Sequence, residues 1–458
     1  MRKNWLLLGI GLLMAVLAIA AVACGGDDDD DDDGEPTAVT DDTPPSGGEG
    51  VDVLGIWGDD ELTSFEALVA PWATATGNSM DFIGTREITA QLNTRIAGGN
   101  PPDVAIPAEV GLFQTFARDG LLTPLASCDA PQPTASSRVL QAGNLEEYVQ
   151  ANYPQGFIDL GTVDGVLYGF FMKADTKATI WYNPAFFTEN GYTVLTADST
   201  FDDLIALSDE ILAGGVVAPW SNGQFANGGT GFPGSDTIQQ ILLNEAGPAV
   251  YDGIIDGSVP STDAGMRDAW EKFGQLALTD GYVSQGGADG VNATGFQDAT
   301  FPPYDDPPTA AMNHLGGFAG GFIAEQFVDA VAGDDYNFFP WPGGAVTGGA
   351  NIVYAFNDDE ATCSFMAHLA SAEAQQIWVD RGGFTSVNSL VGLDSYPDPV
   401  ARAQASQLTL AEVFRFDLDD AVGGEWQSAF FQGVQDYLAD PDSLDTILEG
   451  MEAARSTE

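Results

Sequence analysis

The stretch NTRIAGGNPPDVAI (residues 93–106) closes one helix and opens one strand. Ahead of it, Ile88, Leu92 and Ile96 recur every four residues, so residues 86–97 read as an amphipathic helix. Gly98 and Gly99 stop that helix, and PPDVAI (101–106) reads as a buried strand. Upstream, VDVLGIW (51–57) is a largely apolar first strand, and Leu62, Phe65, Val69 and Trp72 mark one face of a helix over 61–74. Strand, helix, strand in this order is a βαβ unit with a mostly parallel sheet. Open sheets of this kind bind ligands beyond the carboxyl ends of their strands, which makes the loops after Trp57 and after Ile106 site candidates.

Residues 1–23 carry the grammar of a secretory signal: Arg2 and Lys3, an apolar run over 5–22, and small residues before Cys24. The run approaches the length of a membrane span. However, Ala21-Val22-Ala23 ahead of Cys24 and Gly25-Gly26 after it resemble a lipobox and favour cleavage before Cys24 with lipidation of its thiol. Residues 24–50 then form an acidic tether whose Asp27 to Asp33 run repels itself, and which lacks the apolar content to fold. A calcium loop over the aspartates is not expected, because its twelfth position is Thr40 instead of a bidentate Glu.

The remaining chain is long enough for two domains, and 44% hydrophobic residues supply their cores. Charge is the outlier, with 68 acidic residues against 14 basic and a formal net of −54. Nucleic acid is excluded as a partner, since phosphate contacts need a basic footprint. If Cys24 carries lipid, Cys128 and Cys363 remain as an even pair in an oxidising compartment, either bridged or separately buried. No GxxxxGK[ST] loop, HExxH, CxxC or GxSxG motif occurs, so no metal, cofactor or catalytic apparatus is expected.

NTRIAGGNPPDVAIPAEVGLFQTFARDGLLTPL (93–125) resembles the extracellular solute-binding proteins of ABC importers, the family typified by maltose-binding protein. DGVLYGFFMKADTKATIWYNPAFFTENGY (164–192), FPGSDTIQQILLNEAGPAVYDG (232–253) and EAQQIWVDRGGFTSVN (373–388) continue the pattern in order. Pro219-Trp220 and Gly231-Phe232-Pro233-Gly234 are similar to its alpha-glucoside-binding branch. The resemblance implies an α/β, two-lobed, periplasmic-binding-protein-like clam-shell, with a parallel or mixed sheet in each lobe and a hinge crossed several times. Carried over, its topology puts lobe 1 at 51–126 and 349–393, and lobe 2 at 127–348 and 394–458. On that map a Cys128–Cys363 bridge would staple one lobe, and the Gly- and Pro-rich residues 281–308 read as a long surface loop.

A sugar needs aromatic platforms and directional polar groups. The resemblance places Trp57 and Asp59 in the first loop, although Asp59 or Asp60 could equally cap the next helix, and Glu109 in the loop after Ile106. It runs Lys173, Thr176 and Lys177 along the cleft, with lysine–carboxylate pairing as the competing role. Asn222, Gln224 and Phe232 would line the second lobe's wall, and His314 and Phe318 match a segment carrying an aromatic platform. Trp341 and Asn351 fall near the second hinge crossing, while Trp426 and Phe431 resemble an aromatic lid. The implied protein is not an enzyme: a monomeric, extracytoplasmic lipoprotein, held to the outer membrane face by Cys24, would capture a sugar and deliver it to ABC permease subunits. A polyamine or other polar solute on the same fold, a clam-shell used for sensing, and a secreted carbohydrate-active hydrolase are the competing readings.

Overall fold

A computed structural model of the chain describes residues 48–131 and 143–455. The signal-like segment, Cys24 and the aspartate run lie outside the described residues. Among the described residues no helix is long and apolar enough to cross a membrane.

The first strand, β1 (Gly50–Gly55), buries Val51, Val53 and Leu54. The helix Asp59–Thr76 returns over the sheet on Phe65, Leu68, Val69 and Trp72. Each such side chain contributes roughly 1.5–3 kcal/mol through burial. Gly58, not Asp59 or Asp60, occupies the helix's cap position. The sequence reading passed over β2 (Ser79–Gly84), which pairs parallel with β1 at the edge of the sheet. Only Met80 and Phe82 pack inward there, so no continuous apolar run marks it. After the helix Ile88–Ala97 comes β3 (Val104–Ile106), parallel to the other side of β1.

A small hairpin of β4 (Thr162–Val163) and β5 (Val166–Leu167) precedes β6 (Gly169–Thr176) and β7 (Thr179–Tyr182). Then follow β8 (Ala218–Ser221), β9 (Ala310–His314), β10 (Asn337–Pro340), β11 (Val346–Ala355), β12 (Thr385–Ser386) and β13 (Phe414–Phe416). One mixed sheet has the order β12-β6-β11-β3-β1-β2, with β13 also on β11, and the other the order β10-β7-β9-β8. Each sheet anchors a large core of its own: Val53, Phe65, Phe171 and Tyr354 lie in the first, and Ile180, Ile241, Trp270 and Trp426 in the second. These are the two lobes of the clam-shell.

Among the buried described residues, packing changes between the two large cores at three places. It passes from Ala174 in the first core to Ala178 in the second, from Val346 back to Ala350, and from Phe416 to Leu418. Residue 126 is not such a place, contrary to the expected boundary. Leu145, Tyr148, Phe170 and Met172 belong to the first core, because β6 pairs antiparallel with β11 inside the first sheet. Tyr396, Ala405 and Phe416 also remain with that core, beyond the expected limit at 393. Residues 281–308 are not a simple surface loop either. They contain the helix Ala288–Ala293, bury Val291 and Ala299, and pack Phe296 edge-on against Phe232 and Phe318.

Cys128 and Cys363 are disulfide-bonded, with Cα atoms 5.0 Å apart across a sequence separation of 235. Both pack with the first core, so the bridge spans no crossing between lobes. In the chain from Gly48 onward, thiol titration of the unfolded protein should find free cysteines only after reduction. Breaking the bridge should cost roughly 2–4 kcal/mol of stability in denaturant melts.

Candidate functional site

Where the three crossings meet, the lobes line a half-open chamber of about 150 Å³. Ile56 and Trp57 follow β1, and Ala108 and Glu109 follow β3, so the carboxyl ends of both strands form its first wall. Lys173 and Asp175 share one face of β6, since side chains alternate along a strand, and Lys177 continues that face past its end. Thr176 points the other way, donating to Gln407 at 2.8 Å.

Asn351 enters through an irregularity in β11, where its register against β6 shifts between Asn351 and Ile352. A bulge of this kind re-aims a side chain. Asn351 is only 5% exposed and lines the chamber. Gly349, two residues before it, lies alongside Lys177 and Asp417: a Cβ there would stand in ordinary contact, 3.4 Å from Lys177 Cε and 3.6 Å from an Asp417 oxygen.

The second lobe contributes Phe232, Asp236, Phe318, Asp417, Asp419, Asp420, Gln427 and Phe431. Gly231, next to Phe232, lies directly against the Phe431 backbone. Its φ of +108° places its backbone where a Cβ would stand 2.1 Å from the Phe431 carbonyl oxygen. That conformation and that proximity both require glycine.

Charge organises the chamber. Lys177 Nζ lies 2.9 Å from Asp236 and 3.4 Å from Asp417. Burial alone would push its pKa down, but the attraction of Asp236, Asp417 and Asp420 outweighs this and raises it. Lys173 Nζ lies 2.8 Å from Asp175 and 3.2 Å from Glu61. Its pKa is also raised, because those two carboxylates outweigh its burial. Arg86 approaches Glu61 at 4.0 Å and faces the Phe296 ring at 5.5 Å. Asp236, Asp417 and Asp419 can bring oxygens within 4.8 Å of one another, a spacing a metal ion accepts. In this structure the Lys177 ammonium already supplies positive charge there.

Of the residues expected at the site, Trp57, Glu109, Lys173, Lys177, Phe232, Phe318, Asn351 and Phe431 line the chamber. The Asp59 side chain lies outside the described residues, and Glu61, two positions on, faces the chamber instead. Thr176, Asn222, Gln224, His314, Trp341 and Trp426 do not line it. Gln224 accepts from the Gly234 N–H at 2.8 Å and donates to Asn222 at 2.7 Å, tying the loop to the start of the helix Phe232–Glu245. His314 Nε2–H donates to the Lys177 carbonyl and Nδ1 accepts from Thr237, each at 2.8 Å. Burial keeps it neutral, with a pKa lowered to about 4. Trp341 packs on His314 in the second core, and Trp426 donates to Ser261 within it.

Sequence reasoning missed Asp175, Asp236, Asp417, Asp419, Asp420, Arg86 and Gln427. The alternation Lys173, Asp175, Lys177 could have found the first. The others come from distant segments, with nothing to distinguish the acids among 68.

The crowded carboxylates hold protons above the usual range. Burial raises Asp236 to about 7, with Lys177 opposing and Asp417 adding to the shift. Burial, then neighbouring carboxylates, also raises Asp419 and Asp420. Between the unfolded carboxylate range near 4 and about 7, the native state holds a proton on Asp236 that the unfolded chain has released. These groups therefore cost stability as pH rises through that window. The ligand-free unfolding midpoint should be higher at pH 5 than at pH 8, and Asp419→Asn with Asp420→Asn should flatten the slope. An unchanged slope would remove these carboxylates as its source.

Residues 67–405 match the family model described as bacterial extracellular solute-binding protein. The osmoprotective compounds-binding protein GgtB of Synechocystis is 30% identical over 404 residues, covering 87% of this chain and 90% of that protein. The alpha-glucosides-binding periplasmic protein AglE of Rhizobium meliloti is 29% identical over 423 residues, 89% of this chain and 87% of its own. Among solved structures, a chitin oligosaccharide binding protein shares the fold with a TM-score of 0.73 at 18% identity, over 89% of this chain and 98% of that one. A two-lobed fold with the chamber at its crossings agrees with these similarities, and the chain belongs to the bacterial extracellular solute-binding protein family.

Proposed function

We propose that this chain captures a small sugar, an alpha-glucoside or short oligosaccharide, by closing its lobes around it, and delivers it to an ABC permease. The observation that carries the reading is the chamber at the lobe crossings, where the Asn351 side chain stands among carboxylates and the Phe232, Phe318 and Phe431 rings. Rings accept the apolar face of a sugar, while carboxylates and amides pair its hydroxyls. The alpha-glucosides in the name of AglE point the same way. Nothing in this reading requires catalysis: the pocket binds, and the permease and its ATPase do the work of transport. A solute that binds the closed form better shifts the population by that difference in affinity.

The family's extracellular setting puts capture outside the cytoplasm. A lipid on Cys24, with residues 24–50 as tether, would hold a monomer beside its permease and raise its effective concentration. A second reading, a cationic solute such as a polyamine, is favoured by the excess of carboxylates over lysine and arginine in the chamber.

Thermal unfolding against alpha-glucosides, polyamines and amino acids separates the two, since a ligand of the native state raises the midpoint by mass action. Alpha-glucosides should raise it and polyamines should not. A shift with polyamines alone would replace the sugar reading. Asn351→Ala should weaken the bound glucoside about tenfold in calorimetry, as expected when a buried hydrogen-bonding group is lost.

A further inference from the structure

The chamber's polar groups are unevenly matched. Its three cations are already engaged: Lys173 with Glu61 and Asp175, Lys177 with Asp236 and Asp417, and Arg86 with Glu61 and the Phe296 ring. Three further carboxylates face the same space with no cation against them at ion-pair distance. Glu109 takes a long contact from the Thr89 hydroxyl at 3.4 Å on one oxygen, and its other oxygen has no partner. Asp420 accepts from Gln427 Nε2 at 2.9 Å. Asp419 accepts from Ser235 Oγ at 2.5 Å and from Gln427 at 3.2 Å. The Asn351 side chain, which lines the same chamber, adds a neutral donor and acceptor.

We infer that this chamber rejects anionic glycosides, and that Glu109, Asp419 and Asp420 are the residues that set this discrimination. The inference rests on the reading of the chamber as the solute site. Hydroxyl groups donate, so a neutral polyol satisfies surplus acceptors without adding charge. A ligand carboxylate donates nothing, meets no unpaired cation, and brings another negative charge into a chamber lined by seven carboxyl groups and three cations. Juxtaposed like charges discriminate strongly against a ligand. Burial raises the pKa of Glu109 against the opposing pull of its hydrogen bonds and Arg86, and burial and then neighbouring carboxylates raise Asp419 and Asp420, so the chamber already resists further negative charge. A pocket that selects against negative charge admits neutral glucosides and polyol glucosides, and turns away uronates and carboxylate-bearing glucosides of the same size.

The test is calorimetric titration at pH 7.5 with three probes of one scaffold: a methyl alpha-glucoside, its uronate, and its 2-amino analogue. The uronate should bind roughly a hundredfold more weakly than the neutral glucoside. Asp419→Asn with Asp420→Asn, and separately Glu109→Gln, should shrink that ratio about tenfold or more. Equal binding of glucoside and uronate overturns the inference while leaving solute binding intact. So does a variant that weakens both ligands alike. If only the amino analogue binds, the neutral-sugar reading falls and the charge selection stands. If only the uronate binds, both fall.

Discussion

The Lys177 ammonium, buried between Asp236 and Asp417, is the interaction on which the rest of the molecule depends. Lys177 stands where the chain first leaves the first lobe, and Asp417 where it leaves for the last time. Lys177 N–H donates to Thr347 at 2.8 Å, and Asp417 N–H donates to Gly348 at 3.0 Å, so the middle crossing is bound to the outer two. Asp236 ties the same charge to the second lobe's helix Phe232–Glu245. Gln239 extends the network by donating to Asp417 and accepting from the Leu418 N–H, and the Tyr251 hydroxyl sits 2.9 Å from its Oε1. Buried ion pairs seldom add net stability, because desolvation offsets the attraction; losing one partner costs roughly 3–5 kcal/mol. The return here is geometric: one charge fixes three hinge strands and one wall of the chamber.

The same charge links hinge to ligand space. Lys177 Nζ lies 5.7 Å from the Phe232 ring and 5.6 Å from Phe318, and Lys173 Nζ lies 5.8 Å from Phe318. Rings that would receive a sugar face are thus held by ammonium groups that also pair the carboxylates. A solute contacting Asp236, Asp417 or Phe318 touches the hinge itself, so occupancy and lobe position share atoms and need no long relay.

Much of this was legible in the sequence, for physical reasons that differ along the chain. Apolar periodicity exposed β1, β3 and the two helices between them, because both strands are buried on both faces and read as apolar runs. The edge strand β2 has no such run and was invisible. Strand order placed Trp57 and Glu109 in the chamber, since ligand loops follow strand ends. Lys173 and Lys177 stood out through the scarcity of basic residues. Asp417, Asp419 and Asp420 did not, because their meaning comes from meeting residues 177 and 236 in space. Trp341 and Trp426 have the chemistry of a sugar platform, yet an indole buries equally well in a core, and only packing separates the two roles. The lobe limits failed near residue 126 because β6, entering from the far side of Leu145, completes the first sheet.

The central claim is that the solute lies in the chamber where the three strands cross. The most direct measurement is a crystal structure of the chain from Gly48 onward grown with an alpha-glucoside. The account predicts ring density between the two lobes, hydrogen-bonded to Asn351 and to at least one of the Glu109, Asp419 and Asp420 carboxylates, with Phe232 or Phe318 against its face. Ligand density outside this chamber, with the Lys177 network intact and nothing between the lobes, would contradict it.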